Sequence, residues 1–331
     1  MKKLLTIVAV ALLSVCLFAN GANEAKAAGK PALQKINVAY MPNYGSLCSV
    51  VAAMKTGAFA EQGLEVNLVQ FADGPTIIAA MESGSIDVGY IGAGAHKLCI
   101  NGKADIFALS HIGNGDAVIG LKSHGVNSLS DLKGKKVGYA SGTSSESILT
   151  SALQAVGLTM KDIKAMEMDA SGLVAAMSSG ALDACALWSP NTFQVLDVMG
   201  DDAITLADNM MFAEKNPTLS SWIVMKKYAQ ENADTVLRFT KALYKGMDYR
   251  TENVEQTCKW VAEVTASSFD VIWQQRGDAK WITSSELVEM VKDGTVERLY
   301  AAQKAGFGDK VNQDAKVSDY VMLDNMINAA K

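Results

Sequence analysis

The chain has 331 residues, of which 49% are hydrophobic and 20% are charged, and its formal net charge is -5 at pH 7. This length and composition predict a globular protein of about two domains. The acidic balance and the lack of a lysine- or arginine-rich run exclude the basic face on which nucleic-acid binding depends.

The first 27 residues have the pattern of a cleaved signal peptide. Two lysines precede the apolar segment 4–19, and Ala25-Lys26-Ala27 supplies the small residues of a cleavage site. No later segment reaches the roughly 18 uninterrupted apolar residues of a membrane-spanning helix. We therefore expect residues 1–27 to be a signal peptide and the mature protein to be soluble and periplasmic.

The cysteines do not have the spacing of a metal site. Cys16 lies in the apolar segment and raises the alternative of a lipid anchor, but no small residue precedes it as that signal requires. Cys48, Cys99, Cys185 and Cys258 are far apart, and each has apolar neighbours. We interpret these four as small buried side chains, although export would also permit disulfides.

Strands and helices alternate from the end of the signal peptide onward. Periodicity and capping residues predict strands at 35–43, 64–71 and 86–92, with helices at 46–63, 74–85 and 95–103. The pattern restarts with strands at 137–140, 163–169 and 182–188 and helices at 144–157 and 172–180. Alternation of this kind predicts an α/β fold with mostly parallel sheets flanked by helices.

One phrase occurs in both halves at an offset of 96 residues. "AAMESGSID" at 79–87 and "AAMSSGALD" at 175–183 share both alanines and the Met, Ser, Gly and Asp. Glycine commonly ends a helix in the left-handed conformation. We interpret the phrase as a helix–glycine–strand joint that is used once in each of two similar lobes.

The C-terminal third has a different pattern. Amphipathic helical segments are predicted at 226–265, around 284–304 and at 318–330, and no third α/β unit follows. Since such helices must bury their apolar faces, we expect them to pack on the first lobe.

The order of these motifs resembles a known family. "GAFAEQGLEVNLVQFADG", "AAMESGSIDVGYIG" and "SLSDLKGKKVGYASGTSS", within residues 35–225, resemble the substrate-binding proteins of bacterial ABC importers. The similar group is the nitrate, sulfonate and taurine group, which also includes binders of thiamine-precursor pyrimidines. The resemblance implies a type II periplasmic binding protein fold, in which two lobes close over a ligand cleft.

The resemblance also implies where the lobes divide. The chain would cross between lobes near 117–125 and 219–227. Lobe one would then be discontinuous, with residues 34–120 plus 226–331, and lobe two would contain residues 121–225.

The strongest candidate for ligand binding is the helix start in "GYASGTSSESIL". Ser141, Thr143, Ser144 and Ser145 would offer hydroxyl donors beside free backbone N–H groups, which suits an anion. The alternative is a capping box between Thr143 and Glu146, in which the helix end satisfies itself.

Further candidates follow other predicted strands. Gly94, Ala95 and His96 lie after the third strand, where glycine permits close backbone approach and imidazole can donate. Asn43 and Tyr44 follow the first strand and could contact a ligand or belong to a turn.

Three more candidates lie near the cleft or its crossings. Trp188 and Trp222 could form walls for a ligand or pack between the lobes. Asn114, just before the first crossing, could make a polar contact or belong to a turn.

These features together predict a solute receptor. We expect it to capture a small organic or inorganic anion, sulfonate- or nitrate-like, and to deliver it to an ABC permease with its ATPase; a neutral aromatic or pyrimidine ligand is the alternative. An enzyme on the same fold is the weaker reading, because no nucleophile motif, phosphate loop or metal-ligand cluster is present. We expect no cofactor, no nucleic-acid partner and a monomer.

Overall fold

The computed structural model describes residues 32–331. The expected signal peptide and Cys16 lie outside the described residues. Among residues 32–331, no helix combines the length and the apolar character that crossing a membrane requires.

The described chain folds into two β-sheets with flanking helices. The strands are β1 (Gln34–Tyr40), β2 (Leu64–Gln70), β3 (Val88–Ile91), β4 (Ala104–Gly113), β5 (Asp116–Leu121), β6 (Lys136–Tyr139), β7 (Lys164–Glu167), β8 (Ala184–Trp188), β9 (Ala203–Asp208), β10 (Leu219–Met225) and β11 (Ala279–Trp281). The helices are α1 (Tyr44–Lys55), α2 (Ala58–Glu61), α3 (Gly74–Glu82), α4 (His96–Ile100), α5 (Ser144–Ala155), α6 (Ala170–Ser178), α7 (Asn191–Met199), α8 (Lys226–Glu231), α9 (Ala233–Glu252), α10 (Val254–Thr265), α11 (Phe269–Gln274), α12 (Ser284–Lys292), α13 (Thr295–Gly306) and α14 (Leu323–Asn328).

The five strands of the second sheet have the same order and directions as five strands of the first sheet, which has β11 in addition. The first has the order β2-β1-β3-β10-β4-β11 and the second β7-β6-β8-β5-β9. In each sheet the first three strands are parallel, whereas the strand beside them, β10 or β5, is antiparallel. The two-lobe α/β fold is confirmed, but the sheets are mixed rather than mostly parallel. A strand that arrives from the other lobe enters at the carboxyl ends of the parallel strands and must run against them.

The sheets also show that the chain changes lobes earlier than expected. All of β5 belongs to the second sheet and all of β10 to the first, whereas the expected boundaries lay after 120 and after 225. The crossings are therefore at 114–115, beside the glycines of "GNGD", and within 209–218. We hereafter call the part built on the first sheet lobe one and the part built on the second sheet lobe two.

The repeated phrase has the same structural role in both lobes. Its glycines end α3 and α6 in the left-handed conformation, with φ of 78° and 69°. The carboxylate of Asp87 accepts from the backbone N–H of Asn37 at 2.8 Å, and that of Asp183 accepts from Lys136 at 2.7 Å. Each aspartate directly precedes its own strand and thus ties the start of that strand to the adjacent strand, which makes the repeat architectural.

The C-terminal helices pack on lobe one, as their apolar faces require. Val236, Leu243 and Met326 belong to the same hydrophobic core as Val38 and Ile106 of the first sheet. The second sheet has separate apolar clusters. The four cysteines in the described part of the chain are buried and free of disulfides.

Candidate functional site

A cleft lies between the lobes, where several strands of both sheets end. Its empty volume is about 710 Å³, including the part that is open to solvent. Lobe one contributes residues after β1 and β3, and lobe two contributes residues after β6 and β8. Carboxyl ends of parallel strands are the usual position of ligands in open α/β sheets.

The lobes touch beside the cleft at Gly94. A Cβ atom there would lie 2.0 Å from the carbonyl oxygen of Thr143, so only glycine permits this approach. A Cβ at Gly142 would similarly lie 3.1 Å from the Pro75 ring. Gly94 itself does not line the cleft, because this glycine serves the contact between lobes.

Three helices begin at the cleft, but the capping side chains serve their own helices. Asn43 Oδ1 accepts from the N–H of Ser46 at 2.9 Å, and Asp73 Oδ1 accepts from the N–H of Thr76 at 2.9 Å. Thr143 Oγ1 accepts from the N–H of residue 145 at 3.2 Å. Asn43, Asp73 and Thr143 line the cleft with these oxygens already engaged.

The hydroxyl groups at the start of α5 are also engaged within the protein. Ser145 Oγ donates to the backbone oxygen of Ala186 at 2.7 Å and accepts from Ala140 N at 3.0 Å. Ser144 Oγ lines the cleft and donates to Asp116 Oδ1 at 2.8 Å. Ser141 is exposed and does not line the cleft. A carboxylate of the protein therefore lies where we expected an anionic ligand.

Glu146 does not complete the expected capping box. Its carboxylate accepts from the N–H of Gly142 at 2.8 Å and pairs with Lys97 and Lys310 of lobe one at 2.9 and 2.8 Å. Burial favours a raised pKa, but hydrogen bonds from the two lysines and from Gly142 outweigh it and lower the pKa of Glu146 to about 2. We call Lys97, Glu146 and Lys310 the interlobe clasp.

Two carboxyl groups with raised pKa values line the cleft. Asp116 is buried and accepts from Asn209 Nδ2 at 2.9 Å as well as from Ser144. Its pKa is raised by burial, which these hydrogen bonds partly offset. For Asp278, burial is the main cause and the nearby charge of Asp116 adds to it, raising the pKa to about 6 although the Ser189 hydroxyl lowers it.

Aromatic side chains from both lobes form the walls. Trp188 comes from lobe two, and Trp281 comes from lobe one. The Trp281 ring lies 4.8 Å from His111, whose Nε2 is 3.3 Å from the hydroxyl oxygen of Tyr90. Burial, with the charge of nearby Arg250, lowers the pKa of His111 well below its ordinary value, so this imidazole is neutral at pH 7.

The structure brings five of the twelve candidate residues to the cleft, namely Asn43, Ala95, Thr143, Ser144 and Trp188. The other seven lie outside its lining, namely Tyr44, Gly94, His96, Asn114, Ser141, Ser145 and Trp222. A role in ligand contact remains a prediction for the first group.

Several residues outside the lining have identifiable structural roles. Tyr44 is buried with its ring edge-on to Trp281 at 5.1 Å. His96 is buried, and its Nδ1 lies 2.7 Å from Gln303 Oε1. Trp222 is fully buried on β10, in the middle of the first sheet. Their apolar surroundings explain why these large side chains do not reach the cleft.

The lining residues that the sequence interpretation missed include His111, Asp278 and Trp281. His111 lies on β4 and Trp281 on β11, and neither strand was predicted. Asp278 immediately precedes β11, within the tail that was expected to be helical. The available signal was "GDAKWIT", a short alternating segment bounded by glycine and by the N-cap of α12. In residues 32–331, no group of three or more His, Cys, Asp or Glu side chains could hold a metal ion.

The two sheets and the cleft between them define a two-lobe protein with the periplasmic binding protein fold. The chain belongs to the NMT1/THI5 like family, whose match covers residues 46–257. The resemblance to substrate-binding proteins of ABC importers is thereby confirmed.

Relatives and solved structures agree with this assignment. A Brucella abortus (strain 2308) protein named as a binding protein is 32% identical over 79% of this chain and 81% of its own length. The taurine-binding periplasmic protein of Escherichia coli K12 is 24% identical over 63% of this chain and 65% of its own length. The alkanesulfonate-binding protein SsuA from Xanthomonas axonopodis pv. citri, solved with MOPS, has a TM-score of 0.64 at 20% identity, covering 89% of this chain and 99% of that one.

The fold is not restricted to binding proteins. The desulfurization enzyme DSZB also has it, with a TM-score of 0.62 at 13% identity, covering 90% of this chain and all (100%) of that one. The fold alone therefore does not separate binding from catalysis, whereas the relatives are named as binding proteins.

Proposed function

We propose that the protein is the periplasmic substrate-binding component of an ABC importer. It captures one small solute in the cleft as the lobes close, and it delivers that solute to a membrane permease that works with an ATPase. The observation that carries the proposal is a cleft lined by strand ends of both lobes, which touch beside it at Gly94 and Thr143. Binding and release account for this arrangement without a catalytic step.

Two classes of ligand have separate support. The names of the taurine- and alkanesulfonate-binding proteins favour a small anion. The cleft itself favours the aromatic alternative, because Trp188, Trp281 and a neutral His111 offer flat apolar surfaces to a ring. Asp116 also lies at the helix start that would receive an anion. We therefore propose a small planar organic ligand.

Thermal-shift and small-angle X-ray scattering measurements on mature residues 28–331 test this function. A true ligand at about 100 times its Kd stabilises the protein by about 2.7 kcal/mol. The same ligand should reduce the radius of gyration as the lobes close. The proposal fails if no solute changes either quantity, or if deleting the gene leaves uptake of the best-binding solute unchanged. Size-exclusion chromatography with light scattering will check the expected monomer.

A further inference from the structure

The side chains that line the cleft carry charge of one sign. Asp73, Asp116 and Asp278 contribute carboxyl groups, and the described lining residues include no lysine or arginine. His111 is neutral, as described above. An anionic ligand would meet carboxylates without a compensating cation, and like charges at short range in a partly buried site repel strongly.

The nearest buried cation is turned away from the cleft. Arg250 is 1% exposed, and its guanidinium group lies behind Trp281, 5.3 Å from the ring centroid. Its nitrogens donate to the backbone oxygens of Ser110 and Ile282 at 2.6 and 3.1 Å. Arg250 therefore supports the aromatic wall and does not line the cleft.

Asp116 and Asp278 line the same cleft from opposite lobes. Asp116 begins β5 of lobe two, whereas Asp278 precedes β11 of lobe one. A Cβ atom at Gly115 would lie 3.4 Å from the carboxyl carbon of Asp278, which places that group directly beside the start of β5. A donor group bound between these carboxyl groups would thus contact both lobes at once.

Ser189 lies at the same place. It lines the cleft from lobe two, it is 7% exposed, and its hydroxyl group lowers the pKa of Asp278. The same Cβ position at Gly115 is 3.3 Å from Ser189 Cβ, so this hydroxyl group lies in the same corner as Asp278.

We infer that the cleft selects a planar nitrogen-containing ring that carries N–H donors, neutral or cationic, and binds those donors between the carboxyl groups of Asp116 and Asp278. This inference rests on the proposed solute-binding function. The ring lies between the aromatic walls of the two lobes, and Ser189 supplies a further polar contact. Because each carboxyl group belongs to a different lobe, the donors of the ligand also stabilise the contact between lobes.

A charge-sorted panel of solutes separates this inference from the proposed function. The donor set contains cytosine, 4-aminopyrimidine, adenine and benzamidine, and the anion set contains taurine, ethanesulfonate, nitrate and benzoate. Thermal shifts with members of the donor set alone support the inference. Shifts with the anion set alone overturn it and leave the proposed function intact. If neither set of solutes gives a thermal shift, the result counts against the inference and against the proposed function.

Substitution of Asp278 then tests the contact itself by isothermal titration calorimetry with the best donor-set solute. Loss of a hydrogen bond to a charged group should weaken binding by about 10- to 100-fold in Asp278→Asn and Asp278→Ala. Asp197→Asn removes an exposed carboxylate of lobe two and should bind as the unaltered protein does. Unchanged affinity in both Asp278 variants, each shown to be folded, would overturn the inference.

Discussion

Replacement of Glu146 by glutamine should weaken the contact between lobes. Glutamine keeps the shape of the side chain and can still accept from the N–H of Gly142, a bond within lobe two. It loses the charge that pairs with Lys97 and Lys310 of lobe one. Lys97 and Glu146 are each only 15% exposed, so solvent screens this pair less than a surface ion pair.

The pKa of Glu146 bounds the size of the effect. A fall from 4.5 to about 2 corresponds to at most about 3 kcal/mol of preference for the charged form. Part of this belongs to the bond from Gly142, and Lys310 is 41% exposed and therefore contributes less. We expect about 1–2 kcal/mol of this preference to exist only while the lobes are in contact. Its removal in Glu146→Gln corresponds to about a 5- to 30-fold loss of ligand affinity.

The assay combines calorimetry of the best-binding solute with the radius of gyration in its absence. Glu146→Gln should bind more weakly and be more open. Glu289→Gln is the matched control, because Glu289 pairs with Lys292 of the same helix, α12, and this ion pair does not join the lobes. Equal affinity and equal radius in the two variants would refute the role of the interlobe clasp. Since the folded-state pKa is depressed, the clasp acts above about pH 4.5 and is lost as the pH falls toward 2.

Three other substitutions test the contact between lobes, the charge of Asp278 and the internal hydrogen bonds of Ser145. Gly94→Ala places a methyl group 2.0 Å from the Thr143 oxygen and should open the lobes and weaken binding at least about tenfold. A Cβ at Gly92 has no atom within 4 Å, so Gly92→Ala should leave the radius of gyration of the ligand-free protein unchanged. Asp278→Asn should stabilise the ligand-free protein at pH 7.5 by up to about 3 kcal/mol, because a carboxyl pKa raised from 3.8 to about 6 makes folding less favourable as the pH rises through that range. Urea unfolding should show no such gain in stability at pH 4. An equal gain at pH 4 and pH 7.5 would contradict the reasoning. Ser145→Ala removes two buried hydrogen bonds and should lower the free energy of unfolding by about 1–3 kcal/mol, and a loss of affinity without a loss of stability would show that this hydroxyl contacts ligand instead.

The local pattern was sufficient to predict the parallel halves of both sheets. Strands β1 and β2 alternate in hydropathy, whereas β3 and β8 are short apolar runs, and glycine or capping residues bound the strands of both halves. The strands that cross between lobes were missed. "ADIFALSHIG" is an almost continuous apolar run, and such a run does not by its periodicity distinguish a buried strand from a helix.

The serine-rich start of α5 shows why the candidate site was only partly predictable. Its hydroxyl groups and free N–H groups are local features, and they correctly indicated a helix end at the cleft. Their partners depend on tertiary structure, because β5 pairs with β8 and brings Asp116 to Ser144 from 28 positions earlier. Because the Ser144 hydroxyl already donates to Asp116, this helix start places a carboxyl group of the protein at the cleft, where the sequence pattern alone suggests free donors for an anion.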